Sequence, residues 1–330
     1  MKFSCEKQNL VSAVSIASRA AAAKSAVLSL EGLLIEADEG VTVTGYDLKT
    51  GIRSFIPSDV TEPGAFVINA KIFGEIIRKL PDDVVNIAVS DNYTVEIKCG
   101  MSEFTIMGMN AGDYPDLPTV DYQNTIELLE KDLKALISET NFAVSDNEAR
   151  PIHTGALFEL ENGTVTVVAV DGYRLALRRE KVTLAEIDNA SFVVPGSALS
   201  EVEKITSDTE DIAKITVGTK HIMFNIGKNL KRDDRGHQGI GDRHVSADEE
   251  RHRRKQEQSF EGAKDDPLDL TVRDKQPLHC QIAVPVVVDR FFQRLIALAG
   301  QVKRFDHAHP LKAFKHLGYQ GRLISLPYRR

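Results

Sequence analysis

The sequence feature that most constrains the fold is an internal repeat of domain size. Residues 155–177 (GALFELENGTVTVVAVDGYRLAL) contain two strand-like runs around an Asn-Gly turn, followed by an Asp-Gly turn and a third run. Residues 32–55 (GLLIEADEGVTVTGYDLKTGIRSF) show the same order, and Asp47 stands where Asp171 stands in the later copy. Repetition on this scale predicts two copies of one β-rich domain.

A smaller unit of one strand, one amphipathic helix and three strands recurs within each copy. It occurs twice before residue 110 and twice more from residue 125, but its last strand does not follow residue 227. The four predicted helices are residues 7–22, 71–80, 131–143 and 196–206. The pattern predicts an α+β fold with domains at residues 1–120 and 121–228, the second of which lacks its last strand.

The composition changes near Lys228. Residues 1–228 carry 21 Lys and Arg against 34 Asp and Glu, a net charge of −13, whereas the last 102 residues carry 20 against 14, a net charge of +6. Residues 229–266 form a charged run with little apolar periodicity, which indicates disorder. A Val-rich strand over residues 282–288 and a helix-like pattern over 289–305 follow. We expect residues 229–330 to be a tail unrelated to the repeat, disordered or produced by a change of reading frame.

The sequence disfavours several classes of protein. Cys5, Cys99 and Cys280 share no metal-ligand or disulfide spacing, and no apolar run reaches the roughly 18 residues that span a membrane. The first residues do not resemble a signal peptide, so we expect a soluble cytoplasmic protein without membrane contact. Repeat symmetry explains Asp47 and Asp171 better than catalysis does. We therefore predict no catalytic residues, no metal and no cofactor.

Four segments carry a resemblance to a known family: MKFSCEKQNL at the start, NAKIFGEIIRKLP at 69–81, AGDYPDLP at 111–118 and VAVDGYRLAL at 168–177. Through them, residues 1–228 resemble the first two domains of the bacterial sliding clamp, the β subunit of DNA polymerase III. The resemblance implies the DNA-clamp fold, with sheets outside and helices lining a concave face around duplex DNA. It also implies a non-catalytic processivity factor. Its partners would be the polymerase catalytic subunit, an ATP-driven clamp loader and other clamp-binding proteins.

The charges of the predicted helices suit contact with DNA. The formal net charges of the four predicted helices add up to +3, so the rest of residues 1–228 carries a net charge of −16. A basic lining inside an acidic rim attracts a polyanion, and contacts with phosphates do not depend on base sequence. The alternative is that these side chains are ordinary solvated helix faces. The DNA-binding residues that we infer are Lys7, Arg19, Lys24, Lys71, Arg78, Lys79, Lys131, Lys134 and Arg150.

The resemblance further implies a hydrophobic pocket for short partner peptides. The matching residues are His153, Val170, Gly172, Tyr173, Arg174 and Leu175. Gly172 would allow a tight turn, Leu175 would form an apolar wall, and Tyr173 and Arg174 would offer polar contacts to an extended peptide. His153 replaces the apolar residue that the family tends to have. The alternative is that Leu175 belongs to the core and Arg174 is a surface charge.

The tail leaves the assembly and the function partly open. The family forms a homo-oligomeric ring of six domains, which a dimer of two-domain chains cannot supply, and the second domain would keep an unpaired edge. We therefore expect a monomer or aggregates, without retention on circular DNA. The alternative function is a non-ring, clamp-like module that binds partner peptides without encircling DNA. A weaker alternative is a metal hydrolase that uses tail histidines, at positions 237, 244, 252, 307, 309 and 316.

Overall fold

The first domain contains two of the repeated units. The computed structural model describes residues 1–118, 120, 124–186, 189–227, 279–285 and 322–325. The elements of the first domain are β1 (Lys2–Glu6), α1 (Lys7–Ala17), β2 (Gly32–Ala37), β3 (Val41–Tyr46), β4 (Gly51–Ile56), β5 (Asp59–Glu62), β6 (Gly64–Asn69), α2 (Ala70–Lys79), β7 (Val84–Val89), β8 (Thr94–Cys99), β9 (Ser102–Met107) and β10 (Met109–Asn110).

The second domain repeats this order. Its elements are β11 (Thr125–Leu129), α3 (Glu130–Ser138), β12 (Gly155–Glu161), β13 (Thr164–Val170), β14 (Arg174–Lys181), β15 (Leu184–Ala185), β16 (Asn189–Pro195), α4 (Gly196–Ile205), β17 (Ile212–Val217) and β18 (His221–Ile226). Two strands lie further along the chain, β19 (His279–Pro285) and β20 (Arg322–Ser325). The repeated units predicted from the sequence therefore fold as strand–helix–strand units in an α+β architecture.

The described strands form three sheets. Two have five strands, in the orders β5-β1-β7-β8-β9 and β16-β12-β13-β14-β20, and one has ten strands, in the order β10-β6-β2-β3-β4-β19-β18-β17-β11-β15. Within these sheets the pairs are antiparallel except β14 with β20. The order β1-β7-β8-β9 in the first domain corresponds to β11-β17-β18-β19 in the second. β19 therefore occupies the position that β9 has in the first domain.

Each domain builds a buried cluster between its helices and its sheets. In the first domain, Leu10 of α1 and Phe73 of α2 are fully buried against strand residues such as Phe66. In the second, the rings of Phe158 and Phe192 stack with their centroids 5.4 Å apart. Burying one such aromatic side chain contributes about 2–3 kcal/mol. Packing of these apolar helix faces therefore leaves the polar helix faces toward solvent.

The structure differs from the sequence prediction at two helix ends. The helix predicted over residues 7–22 ends at Ala17, because a 3-10 turn follows and Ala21 is extended, with φ −72° and ψ 133°. The helix predicted over residues 131–143 ends at Ser138, since Thr140 has φ −123° and its hydroxyl donates to the Leu136 carbonyl oxygen at 2.6 Å. At both helix ends a side-chain hydroxyl donates a hydrogen bond to a main-chain carbonyl oxygen, and such local bonds compete with continuation of the helix.

The structure also differs from the prediction at the edge of β18. The sequence predicts that this edge is unpaired, but β19 lies against it, with Ile282 opposite Phe224. The strand expected over residues 282–288 is described only to residue 285 and begins earlier, at His279. Residues 229–266, the helix-like pattern over 289–305 and the tail histidines at 237, 244, 252, 307, 309 and 316 lie outside the described residues.

Candidate nucleic-acid interface and partner pocket

A cleft between α1 and α2 collects three of the predicted DNA-binding residues. It has a volume of about 660 Å³, and Arg19, Lys71 and Arg78 line it together with the hydroxyl side chain of Ser15. The three basic side chains are exposed. Guanidinium, ammonium and hydroxyl groups are the donors that proteins use most to bind phosphate oxygens. The cleft can therefore bind a phosphate backbone.

The fold of α2 explains why Lys71 and Arg78 face the cleft. The Asn69 side chain caps the helix by accepting the Ile72 N–H at 3.1 Å. Phe73 and Ile77 are fully buried, which fixes the rotation of the helix about its axis. Lys71 and Arg78 then lie on the solvent side. Arg78 Nε donates to the Gly74 carbonyl oxygen at 3.0 Å, which leaves the terminal guanidinium nitrogens for a ligand.

Two of the predicted DNA-binding residues form ion pairs with acidic residues of the second domain. Arg19 Nη1 lies 3.2 Å from Glu201 Oε2 in α4, and Lys131 Nζ lies 2.7 Å from Glu210 Oε1. The hydrogen bond with Lys131 lowers the pKa of Glu210 and raises that of Lys131. Exposed ion pairs are worth little, so both cations can exchange a carboxylate for a phosphate at low cost.

The other predicted DNA-binding residues are scattered around the helices. Lys7 begins α1 and is half-buried, and Lys79 ends α2 and is exposed; Lys134 lies in α3 and is half-buried. Lys24 and Arg150 are exposed and lie outside the four helices. They do not line the cleft between α1 and α2. Only three of the nine residues that we inferred therefore converge on one described cleft.

The residues matched to the peptide pocket surround a turn that Asp171 organises. Its Oδ1 accepts the N–H groups of Tyr173 at 2.8 Å and Arg174 at 2.9 Å, and its Oδ2 accepts Arg174 Nε at 2.7 Å. Burial opposes ionisation, but these three donors outweigh it and hold the pKa of Asp171 below its ordinary value. Gly172 has φ +95°, which favours glycine.

The equivalent turn of the first domain has the same geometry. Asp47 Oδ1 accepts the N–H groups of Lys49 at 2.8 Å and Thr50 at 2.6 Å, two and three residues further on, as Asp171 does. Leu48 has φ +71°, in the place of Gly172. The two aspartates therefore have a shared structural role. A catalytic role is not needed to explain them.

Around the Asp171 turn, the apolar and polar residues separate. Val170 and Leu175 are only 7% and 8% exposed, so they belong mainly to the core, whereas Tyr173 is 82% exposed. The guanidinium of Arg174 lies over the ring of Phe142, 5.8 Å from its centroid. These exposures agree with the alternative that Leu175 belongs to the core, and they make Tyr173 the most accessible of these side chains.

His153 connects the segment before β12 to the end of β13. Its Nδ1 lies 3.2 Å from the carbonyl oxygen of Val170, within hydrogen-bond distance, and its backbone carbonyl accepts the Ser145 N–H at 2.8 Å. The side chain is half-buried. His153 thereby positions the strand that leads into the Asp171 turn, and a smaller apolar residue could not make this bond.

Sequence reasoning missed three contributors to these sites: Phe142, Glu201 and the carboxylate of Glu31, which also lines the α1–α2 cleft. Phe142 lies about 30 residues before Arg174, and Glu201 lies 182 residues after Arg19, so no local spacing connects either pair. The local sequence offered one signal for Phe142, which is that an aromatic residue stands shortly before the turn at Pro151.

The described residues contain no group of three or more His, Cys, Asp or Glu side chains that could hold a metal ion. Cys5 and Cys280 are buried, and burial raises the pKa of each thiol to about 12. Neither is therefore a thiolate near neutral pH. In the same part of the chain, the helices are too short and too polar to cross a membrane.

Comparison with known proteins agrees with this geometry. Residues 1–118 match the model of the DNA polymerase III beta subunit N-terminal domain, and residues 127–232 match that of its central domain. The chain is 35% identical over 239 residues to the beta sliding clamp of Bacillus subtilis and 36% identical over 241 residues to that of Halalkalibacterium halodurans. Both alignments cover 70% of this chain, and the chain spans 63% of the length of each relative.

A solved structure supports the same assignment. The crystal structure of the DNA polymerase sliding clamp from Bacillus subtilis superposes with a TM-score of 0.68 at 28% identity, covering 88% of this chain and 65% of that one. The two matched segments cover the two copies of the repeated domain. Through its N-terminal and central domains, this chain belongs to the DNA polymerase III beta subunit family, that of the bacterial beta sliding clamps.

Proposed function

We propose that this chain serves as a sliding clamp, a non-catalytic processivity factor that contacts duplex DNA through its helices and tethers partner proteins. The observation that carries the proposal is the α1–α2 cleft, in which Arg19, Lys71 and Arg78 converge on a domain whose overall charge is acidic. A localised basic site on an acidic protein directs a polyanion to one face. A cytoplasmic location is part of the same proposal.

The contact with DNA would involve phosphates rather than bases. Arg19 and Arg78 present guanidinium groups and Lys71 an ammonium group, all on exposed side chains around an open cleft. Each phosphate neutralised releases counterions, so affinity would fall steeply with salt. Such contacts bind every sequence alike, as a protein that moves along DNA requires.

The Asp171 turn would bind the partner proteins. Tyr173 is 82% exposed and Arg174 packs over Phe142, which gives an extended peptide one stacking surface and one cationic group. We assign to this surface the short peptides of the polymerase catalytic subunit, the clamp loader and other clamp-binding proteins. His153, Val170, Gly172 and Leu175 would support the turn rather than touch the peptide.

The domain boundaries belong to the proposal as well. Residues 1–120 and 121–228 would be the first two clamp domains, and residues 229–330 would be a tail unrelated to the repeat that results from a change of reading frame. An intact-mass measurement on protein from the native source tests this. The mass of a chain with an ordinary third clamp domain would support a change of reading frame, and a mass of about 36.4 kDa, that of the chain as given, would contradict it.

A matched pair of charge variants tests DNA contact. In one triple variant Arg19, Lys71 and Arg78 become Ala. In the control, three exposed lysines on strands become Ala instead: Lys2, Lys98 and Lys181. Fluorescence anisotropy with a short duplex should show at least about a tenfold loss of affinity for the first variant, and a slope of log K against log salt that is shallower by about 2–3.

The control variant decides whether the site or the total charge matters. It removes the same number of positive charges, and we expect it to change affinity by less than about threefold. Equal losses in both variants would contradict a specific DNA site in the α1–α2 cleft.

For the partner surface, Tyr173→Ala should weaken binding of a fluorescent clamp-binding peptide by about tenfold and leave DNA affinity unchanged.

A further inference from the structure

One strand of the central sheet comes from a distant part of the chain. Among the described strands, β4 and β18 do not pair with each other, because β19 lies between them and is antiparallel to both. Ile282 stands opposite Ile52 on one side and Phe224 on the other. The strands that flank β19 belong to the first domain and to the second. Within the described sheets, the two domains are therefore joined through β19.

Both faces of β19 are enclosed. On one face Cys280, Ile282 and Val284 are buried in the apolar cluster of the second domain, which also includes Ile52. On the other face, Gln281 and Ala283 line a small cavity of about 150 Å³ under Leu117, Pro118 and Met223. Alternate side chains of β19 therefore face an apolar cluster on one side of the sheet and a small cavity on the other.

The connection between β18 and β19 is not a hairpin. Antiparallel neighbours are usually joined by about two to five residues, whereas 51 residues separate Gly227 from His279. In the first domain, β8 and the equivalent strand β9 are joined by Gly100 and Met101 alone. The position of β19 is therefore determined by its pairing with β4 and β18 and not by a short turn.

We propose that the slot between β4 and β18 is a strand-acceptor site for an extended peptide. Its ligand has medium-sized apolar side chains at alternate positions, and residues 279–285 of the same chain are its resident occupant, with Gln281 and Ala283 on the opposite face of the strand. A strand bound in this way forms main-chain hydrogen bonds with both neighbours, and alternate side chains give selectivity. Occupancy joins the two domains, and it does not depend on the proposed function in replication.

A cross-link tests the register. Cys280 stands opposite Ser54 of β4, and opposed residues on antiparallel strands have Cβ atoms about 5 Å apart. In the full chain, the thiol introduced by Ser54→Cys should form a disulfide with Cys280 of the same molecule on mild oxidation, as shown by peptide mapping. Arg53→Cys is the control, because that side chain is exposed on the other face. Absence of the disulfide to Cys280, or a disulfide between two molecules, would overturn the proposal.

Hydrogen exchange tests the acceptor itself. In the full chain, Ile282→Asp should deprotect the amides of β4 and β18 by at least about tenfold and leave β12 and β13 protected, whereas Ile282→Val should change little. A free peptide of residues 279–285 at about 1 mM, the effective concentration of a tethered segment, should restore protection to the Asp variant. Protection of β4 and β18 in the Asp variant without added peptide, equal to that of the unmodified chain, would contradict the site. Should the Asp variant unfold globally, the cross-link decides.

Discussion

Arg19 and Glu201 form an ion pair of 3.2 Å across 182 residues of sequence, between the turn after α1 and helix α4. Glu201 also accepts Lys204 Nζ at 2.6 Å, so one carboxylate holds two cations. Arg19 lines the α1–α2 cleft as well. The same guanidinium therefore contacts the second domain and also borders the cleft that we propose as the DNA site.

This relationship predicts that Glu201→Gln raises DNA affinity. The change removes a carboxylate that competes with phosphate for Arg19, so affinity should increase about two- to fivefold at low salt, a gain that about 0.5 M NaCl should abolish. Anisotropy with a short duplex measures it. Glu203→Gln is the matched control, because it removes one charge from the same helix without touching Arg19. Equal gains in both variants would indicate a general charge effect only.

The contact between Gly45 and Ala17 predicts a stability defect. A Cβ atom on Gly45 of β3 would lie 2.0 Å from the Ala17 carbonyl oxygen at the end of α1. Because the contacted oxygen belongs to main chain that cannot move aside as a flexible side chain can, Gly45→Ala should lower the free energy of unfolding by about 2 kcal/mol or more. Urea unfolding measures it. At Gly112 the nearest atom would be 3.5 Å away, so Gly112→Ala should cost much less.

The Asp171 turn predicts a pH-dependent stability difference. The pKa of Asp171 is lowered in the folded protein, so its contribution is complete above the ordinary pKa of aspartate and is lost as pH falls through the lowered value. Asp171→Ala should destabilise the protein by about 1 kcal/mol at pH 7, because it removes bonds from Tyr173 and Arg174. The difference from the unmodified chain should shrink below about pH 4.

Urea unfolding at several pH values measures this difference. A gap between the two proteins that stays constant from about pH 7 to about pH 3 would show that the carboxylate charge is irrelevant. Asp47→Ala is the matched comparison, since Asp47 accepts the two equivalent N–H bonds with Thr50 in place of Arg174. It should also destabilise the protein at neutral pH.

The edge strand β9 predicts self-association. Among the described strands it ends the five-stranded sheet of the first domain, and its exposed apolar side chains include Phe104 and Met107, 39% and 67% exposed. Unpaired apolar edges recruit other strands. Phe104→Lys should therefore reduce concentration-dependent association, measured by size exclusion with light scattering. Thr105→Lys, which adds the same charge on the opposite face of β9, should reduce it less.

Sequence periodicity predicted the repeated units because each unit is encoded locally. The turn at Asp47 and the turn at Asp171 each depend on bonds to the next three residues, so both could be inferred before the fold was seen. Phe73 and Ile77 likewise fix the buried face of α2 through helical spacing alone.

The missed features depend on contacts between distant residues. The pairing of Ile282 with Ile52 and Phe224, the ion pair of Arg19 and the position of Phe142 under Arg174 all require the assembled sheets. The low exposure of Leu175, 8%, agrees with the alternative that this side chain belongs to the core, and its burial also depends on contacts with other strands. Local patterns specify units, and tertiary packing decides which of their side chains stay accessible.

Photo-cross-linking to a duplex with reactive groups on its phosphates tests the central claim most directly. At low salt, mass spectrometric mapping should place the cross-links on α1, α2 and the residues around Arg19, independently of DNA sequence, and about 0.5 M NaCl should remove them. Cross-links concentrated on the strands of the three sheets, or a pattern that changes with the base sequence, would contradict a clamp that contacts DNA through its helices.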